Sequence, residues 1–157
     1  MLPDEHIVKK NSLLGIISQL SAEWRVSMKL KPTQFIMGRT NLLALRFGDK
    51  YMSIGFKQDS NQIVNIWSYF NGFLSRNNYI PPVEDLTTLE VGTRGKDYTF
   101  YIKINGTEVL TKTSSVFKNF TNVKVYASKP WSTAQPGSIK DLIIESKLKG
   151  EQLTVVI

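Results

Sequence analysis

Residues 97–109 read DYTFYIKINGTEV, and this stretch decides the fold. Apolar Phe100 and Ile102 alternate with polar neighbours, which is the period-two pattern of a half-buried strand. Asn105-Gly106 follows, and this dipeptide is the strongest short-range hairpin signal because a type I′ turn needs positive φ at both central residues. The stretch therefore predicts two antiparallel strands joined by a two-residue turn.

The remainder of the chain also consists of strand-like runs separated by turn signals. EWRVSMKLK, residues 23–31, alternates apolar and polar side chains over its whole length, as a strand with one buried face does. No amphipathic helix pattern occurs. Further strands are predicted at Leu13–Gln19, Asn41–Phe47, Tyr51–Phe56, Gln62–Phe70, Thr88–Gly92, Val123–Ala127, Ile139–Ser146 and Leu153–Val156.

These strands predict an all-β fold, an antiparallel two-sheet jelly-roll sandwich. We expect residues 1–157 to form a single domain whose core spans roughly residues 13–146. The inward phase of the clearest alternations predicts the core residues Trp24, Met28, Leu43, Leu45, Phe100, Ile102, Val123 and Val125.

Composition excludes several kinds of site and of partner. The 157 residues include no cysteine, so disulfides, zinc–thiolate sites and thiol nucleophiles are excluded. The net charge of +7 is scattered along the chain without a nucleic-acid-binding motif. No apolar stretch approaches the ~20 residues of a membrane span. A polyanion such as an acidic polysaccharide remains a candidate partner if outward Lys103 and Lys124 share a face, although a merely solvated surface is the simpler interpretation.

Catalytic patterns are missing from the sequence. The single histidine, His6, lies near the N-terminus, away from any suggestive serine or acid, so neither a catalytic triad nor a three-histidine metal site is indicated. No strand carries the paired carboxylates that a retaining glycosidase needs. We therefore expect a non-enzymatic protein without a metal or cofactor.

Four segments resemble the concanavalin A-like lectin and laminin-G-like jelly-roll domains, of the kind found in extracellular proteins of marine invertebrates. They are EWRVSMKLKPT, NLLALRF, DYTFYIKINGTEV and FKNFTNVKVYASKPWSTAQPGSIKDLIIES. The resemblance implies a non-catalytic carbohydrate-binding module of a secreted or extracellular protein, with a glycan or glycoprotein as partner. The alternatives are an interaction or self-association domain, forming a homo-oligomer, and more distantly a glycoside hydrolase. The metal-ligand motifs of such families have no match here.

Candidate ligand-binding residues lie in the strand predicted at residues 62–70. Asn65, Trp67 and Tyr69 share one face, and the opposite face is also apolar. Either both faces are covered by other elements, or these three side chains line an open concave surface that stacks and hydrogen-bonds sugars. Arg46 and Arg94 are candidate donors to the sugar hydroxyls.

Two further features allow alternative interpretations. Trp131 lies between two prolines in residues 129–136, which stiffen the loop. We expect this tryptophan to cover a sandwich edge, although a ligand-gripping role fits the same rigidity. Asn105 and Asn119 begin N-x-T sequons, which favours an extracellular location if they are glycosylated.

Overall fold

The computed structural model describes residues 5–48, 50–60, 64–70, 73–78, 86–94, 99–112, 120–128, 133–148 and 151–156. These residues contain strands and connections and no helix, and hence no helix that could cross a membrane. The strands in chain order are β1 (Glu5–Ile7), β2 (Leu13–Leu20), β3 (Trp24–Pro32), β4 (Gly38–Arg39), β5 (Leu43–Phe47), β6 (Lys50–Gln58), β7 (Val64–Phe70), β8 (Phe73–Asn78), β9 (Thr87–Arg94), β10 (Thr99–Ile104), β11 (Thr107–Lys112), β12 (Phe120–Tyr126), β13 (Gly137–Leu148) and β14 (Glu151–Val156).

The strands form two seven-stranded antiparallel sheets, which confirms the predicted sandwich class. Sheet I has the order β1-β13-β3-β9-β10-β11, with β14 also paired to β13. Sheet II has the order β2-β12-β5-β6-β7-β8, with β4 also paired to β6. Because neighbours in a sheet are often distant in the chain, each sheet is assembled from several parts of the sequence.

The core lies between the sheets and follows the alternation of the strands. On β3, Trp24, Val26, Met28 and Leu30 are buried while the residues between them are more exposed. The inward face of β3 therefore contributes four side chains to the core, as its alternation predicts. The eight predicted core residues are all at least 97% buried, namely Trp24, Met28, Leu43, Leu45, Phe100, Ile102, Val123 and Val125.

The hairpin between β10 and β11 has the predicted turn. Asn105 and Gly106 have φ values of 50° and 81°, as a type I′ turn requires. The turn is also anchored to β9, because Asn105 N–H donates to the Thr88 carbonyl at 2.8 Å and its Oδ1 accepts from the Thr88 N–H at 2.9 Å.

Three strands of the structure, β1, β4 and β8, were not predicted from the sequence. β1 and β4 contain only three and two residues, too few to show a period. β8 reads FLSRNN, whose polar second half resembles a loop, yet it pairs with β7 from Phe70↔Phe73 to Asn65↔Asn78. Pairing with a neighbouring strand outweighs weak local propensity at these places.

The connection from β12 to β13 joins the two sheets through a buried glutamine. Gln135 is fully buried, its Oε1 accepts from the Thr40 hydroxyl at 2.5 Å, and its Nε2 donates to the Gln34 carbonyl at 2.8 Å. Backbone bonds from Asn41 N–H to the Thr133 carbonyl and from Thr33 N–H to the Pro136 carbonyl fix the same segment. Residues 133–136 therefore hold one end of the sandwich together.

Candidate functional site

An open cleft of about 350 Å³ lies on the outer side of sheet I, where β3 begins and β9 ends. Its walls are polar and charged around one aromatic ring. We call it the Arg94 cleft, and it is lined by Glu23, Trp24, Arg25, Thr93, Arg94, Tyr101, Glu145 and Ser146.

The floor of the cleft is one row of residues across four strands. Glu145 pairs with Arg25, Arg25 with Gly92, and Gly92 with Tyr101. A Cβ on Gly92 would lie 2.4 Å from the Trp24 carbonyl oxygen and 3.2 Å from the Tyr101 hydroxyl. Only glycine therefore lets the neighbouring strand and the tyrosine approach this closely.

Hydroxyl side chains fix the inner corner of the cleft. The Thr93 hydroxyl accepts from the Trp24 N–H at 3.2 Å and donates to the Ala22 carbonyl at 2.8 Å. Ser146 Oγ accepts from the Ser21 N–H at 3.0 Å. These contacts join the chain before β3 to β9 and β13, so the corner is preorganised.

Two ion pairs border the cleft. Arg25 pairs with Glu145 and Arg94 pairs with Glu108. The two arginine side chains are 48% and 45% exposed, so water and a ligand can both reach their N–H groups. Exposed pairs of this kind contribute only about 0–1 kcal/mol to stability, which leaves them free to exchange partners with a ligand.

Tyr101 lies beneath these charges and is itself buried. Its hydroxyl donates to Glu90 Oε2 at 2.9 Å, and the Arg94 guanidinium carbon lies 4.8 Å from the ring centroid. The Lys103 ammonium lies 5.6 Å from the same centroid. The ring therefore holds Arg94 in place by a cation–π contact and does not offer an open face for stacking.

Three groups around the cleft have shifted pKa values. Burial, and then the hydrogen bond to Glu90, raise the pKa of the Tyr101 phenol well above its usual range. The hydrogen bond to Glu145 raises the pKa of Arg25. The Thr111 hydroxyl and then Arg94 lower the pKa of Glu108. At neutral pH the Tyr101 phenol is therefore neutral, and the Arg25 guanidinium beside it is charged.

The arrangement can form hydrogen bonds with vicinal hydroxyls. Arg25 and Arg94 supply donors, and the carboxylates of Glu23 and Glu145 supply acceptors. Glu23 has no ion-pair partner among the described residues, so its carboxylate is available to a ligand. The same part of the chain holds no group of three metal-ligating side chains.

The predicted site residues lie on two different sheets. Arg94 belongs to the cleft on sheet I, whereas Arg46 on β5 and Trp67 on β7 belong to sheet II. Asn65 and Tyr69 have backbone partners Lys57 and Ser53 on β6, and their side chains lie outside the described residues. The five residues therefore do not form one site together.

Trp67 is placed as a structural side chain. It is 5% exposed, and its Nε1 donates to the carbonyls of Thr40 at 3.0 Å and Phe56 at 3.2 Å. A Cβ on Gly55 would lie 1.9 Å from the Thr40 carbonyl oxygen, so glycine is needed where the Thr40 loop and the indole meet. The indole is therefore covered by its neighbours, as the covered-strand interpretation expects, and it does not form an open stacking surface. Its ligand-binding assignment remains a prediction.

The lysine prediction needs a correction. Lys103 lies on β10 of sheet I and Lys124 on β12 of sheet II, and both point away from the core. Because the outer faces of the two sheets are on opposite sides of the sandwich, these lysines do not share a face. Trp131 and the Asn119 sequon lie outside the described residues, so the expectations for them remain predictions.

Sequence reasoning missed most of the cleft. Arg25, Tyr101 and Glu145 come from three strands that only the pairing of distant segments brings together. One local signal was present in Gly92, a glycine within an alternating strand, which marks a close approach of backbone or ligand.

Structure comparison places the fold among known β-sandwiches. A native heptameric SAP-like pentraxin from Limulus polyphemus superposes with a TM-score of 0.68 at 10% identity, covering 98% of this chain and 92% of that chain. Domain 4 of AbnA, an extracellular GH43 arabinanase from Geobacillus stearothermophilus in complex with arabinotriose, gives 0.59 at 16% identity, covering 89% and 81%.

The carbohydrate-binding module CBM66 from Bacillus subtilis gives a TM-score of 0.52 at 14% identity, covering 91% of this chain and 96% of that chain. No family model matches the chain, and no curated protein matches it. The fold is a concanavalin A-like jelly roll, as the sequence resemblance indicates. Its neighbours in structure include carbohydrate-binding modules and lectins, together with domains of enzymes.

Proposed function

We propose that this protein is a non-catalytic carbohydrate-binding module and that the Arg94 cleft is its glycan site. The observation that carries the proposal is the open cleft of about 350 Å³ with two half-exposed arginines and two carboxylates around it. Donors and acceptors interleaved in this way fit the vicinal hydroxyls of a sugar. The similarity in fold to carbohydrate-binding modules supports the same proposal.

The charge balance of the cleft favours a neutral saccharide. Arg25 and Arg94 are each matched by a carboxylate, from Glu145 and Glu108, and Glu23 adds a further negative charge. An anionic ligand would have to displace the carboxylates of Glu145 and Glu108 from the arginines, and the carboxylate of Glu23 would repel it. Neutral hydroxyls can instead bond to both signs of charge at once.

We propose binding without hydrolysis. Inverting and retaining glycosidases need an acid with a raised pKa opposite a second carboxylate. In the cleft, the Glu145 carboxylate accepts a hydrogen bond from the Arg25 guanidinium, so it is already engaged and is not placed to donate a proton to a glycosidic oxygen. Incubation with aryl glycosides and oligosaccharides tests this, and we expect no release of aglycone or reducing sugar above the buffer rate. Release that Glu145→Gln abolishes would contradict the proposal.

A glycan array followed by calorimetry tests the site. Arg94→Ala removes hydrogen bonds to a charged group, each contributing about 1.5–3 kcal/mol, so we expect at least about tenfold weaker binding. Lys29→Ala is the matched control, because Lys29 forms a similar half-exposed ion pair, with Asp141 at 3.3 Å, on the same face outside the cleft. Binding that Arg94→Ala leaves unchanged would exclude the cleft.

The sequence-predicted residues on sheet II provide the alternative site. Asn65, Trp67, Tyr69 and Arg46 would then hold the sugar. Substitution of Arg46 and Tyr69 to alanine should leave neutral-glycan binding within about twofold if the cleft is the site. Loss of neutral-glycan binding in these variants alone would show that the site lies on sheet II.

Self-association is a second candidate function, favoured by the edge strand β2. This strand ends sheet II, contains no charged residue, and exposes Leu13 and Ile16 by 49% and 57%. Edge strands without charge or proline are open to pairing with another chain. Light scattering after size exclusion tests it, with Ile16→Lys expected to reduce any oligomer to the monomer. A monomeric parent protein would contradict this function.

We also propose that the protein works outside the cell. The Asn105 sequon lies at the tip of the β10–β11 hairpin and is exposed, so a glycosyltransferase could reach it. The arabinanase with a similar domain is extracellular, which is consistent with this proposal.

A further inference from the structure

Charged residues are divided unequally between the two sheets. Within the strand bounds, sheet I carries eight lysines and arginines and six acids. The strands of sheet II carry six lysines and arginines and no acid. Within the strands, sheet I therefore has a net charge of +2 and sheet II a net charge of +6.

The pairing of these charges differs in the same way. The ion pairs of the described residues all lie on sheet I, namely Arg25–Glu145, Lys29–Asp141, Arg94–Glu108 and Lys103–Glu90. Within the described part of sheet II, the cations Arg39, Arg46, Lys57 and Lys124 have no ion-pair partner. No ion pair of the described residues therefore neutralises these four cations.

Strand register places these cations on the outer face. Met52, Ile54 and Phe56 point into the core, so Tyr51 and Lys57, which alternate with them on β6, lie on the other side. Arg46 pairs with Tyr51 on one side and with Lys124 on the other. Lys124, Arg46 and Tyr51 thus form one row across three adjacent strands.

A second cationic pair lies further along the same face. Arg39 pairs with Lys57 between β4 and β6. Lys57 lies six residue steps along β6 from Tyr51, which corresponds to about 20 Å of strand. The face therefore carries positive charge at both ends, a length that suits an extended polymer better than a single small anion.

Aromatic rings hold the arginines in position. The Arg46 guanidinium carbon lies 5.6 Å from the Tyr51 ring centroid, and Arg46 Nε donates to the Gly48 carbonyl at 2.7 Å. Tyr51 packs in turn with buried Tyr126 and Ala44. The Arg39 guanidinium carbon lies 5.9 Å from the Trp67 ring centroid. Because the rings are buried, a ligand meets the cationic groups and not the ring faces.

We propose that the outer face of sheet II binds an anionic glycan, one that carries carboxylate or sulfate groups along its length. Charge complementarity identifies this class of partner, since the four cations Arg39, Arg46, Lys57 and Lys124 attract a polyanion and gain nothing from neutral hydroxyls alone. The face is separate from the charge-balanced Arg94 cleft. Its ligand therefore differs from the neutral saccharide of the proposed function, and the inference does not depend on that function.

The test measures binding to immobilised heparin, polygalacturonate and neutral dextran at increasing sodium chloride. Arg46→Ala/Lys124→Ala removes two charges from sheet II. The matched control is Lys29→Ala/Lys31→Ala, which also removes two positive charges, but from the outer face of sheet I. Thermal melts confirm that all variants fold. Heparin and polygalacturonate distinguish sulfate from carboxylate recognition.

We expect the unsubstituted protein to bind at least one of the two polyanions at physiological salt and to show no binding to dextran. The sheet II variant should bind at least tenfold more weakly. The slope of log affinity against log salt concentration should also fall in magnitude by about 1.5, if each lost cation contact contributes as much as a contact to a nucleic-acid phosphate. The control variant should change less than twofold, and Arg94→Ala should bind the polyanion normally.

Several results would overturn the proposal. Equal losses in the two double variants would mean that only net charge matters. Elution below physiological salt would mean that the face is merely solvated. Binding to phosphatidylserine vesicles but to neither polysaccharide would identify a membrane surface, and loss of polyanion binding in Arg94→Ala alone would place the ligand in the cleft.

Discussion

Replacement of Gly55 by alanine tests how the outer face of sheet II is built. The new Cβ would lie 1.9 Å from the Thr40 carbonyl oxygen and 3.0 Å from Trp67 Nε1. Ordinary contact begins near 3.4 Å, so the carbonyl must move by about 1.5 Å. That movement breaks the bond from Trp67 Nε1 to the Thr40 carbonyl, 3.0 Å, and strains the bond from Thr40 N–H to the Phe56 carbonyl, 2.8 Å.

The expected cost follows from these two bonds. A buried hydrogen bond contributes about 1 kcal/mol, and a buried group left without a partner costs about 1–3 kcal/mol, so we expect Gly55→Ala to destabilise by about 2–4 kcal/mol. With a urea m-value of about 2 kcal/mol/M, the unfolding midpoint should fall by about 1–2 M. Equilibrium denaturation followed by circular dichroism measures this shift.

A double-mutant cycle isolates the cause. Trp67→Phe should cost about 1 kcal/mol less in Gly55→Ala than in the parent protein, because the indole N–H there keeps only its bond to the Phe56 carbonyl. Gly106→Ala is the control, since its Cβ meets nothing within 4 Å and its φ of 81° is the sole source of strain; its effect should add to that of Trp67→Phe. An unchanged midpoint in Gly55→Ala, or additive effects in the cycle, would refute the reasoning.

Three further predictions concern single side chains. Trp67→Phe should lower stability but leave neutral-glycan affinity within about twofold by calorimetry, because the indole is buried; a selective loss of binding would restore its predicted ligand role. The folded protein should lose stability as pH rises above about 10, with a slope of up to about 1.4 kcal/mol per pH unit, because unfolded tyrosine releases its proton there while Tyr101, its pKa raised by burial and by Glu90, keeps it. Tyr101→Phe should flatten this loss in urea titrations at pH 9–11, and parallel curves would contradict it. Secretion from a eukaryotic host should add a glycan that Asn105→Gln removes, seen as a mass shift with peptide N-glycosidase; an unmodified secreted parent would contradict accessibility at that tip.

Much of the fold could be predicted because it depends on local patterns. The alternation around Met28 and Ile102 identifies inward faces, and the Asn105-Gly106 turn requires a specific backbone geometry that the structure has. The short strand β4 could not be predicted, because its two residues carry no period and form a strand only by pairing with β6.

The candidate site could be predicted only at Arg94. The other parts of the cleft, such as Arg25 and Glu145, are 120 residues apart in the chain, and no local pattern connects them. Trp67 shows the opposite difficulty. Its place on one strand face with Asn65 and Tyr69 allowed either a covered strand or an open sugar-binding surface. The Thr40 carbonyl accepts the indole N–H, and the sequence contains no sign of this long-range contact.

The most direct test of the carbohydrate-binding account is a backbone amide NMR titration with the saccharide that binds best on a neutral-glycan array. We expect saturable chemical-shift changes that cluster at Arg25, Thr93, Arg94 and Tyr101 and that disappear in Arg94→Ala. Shifts confined to β5, β6 and β7 of sheet II, or no saturable shift with any arrayed glycan, would contradict the assignment of the Arg94 cleft.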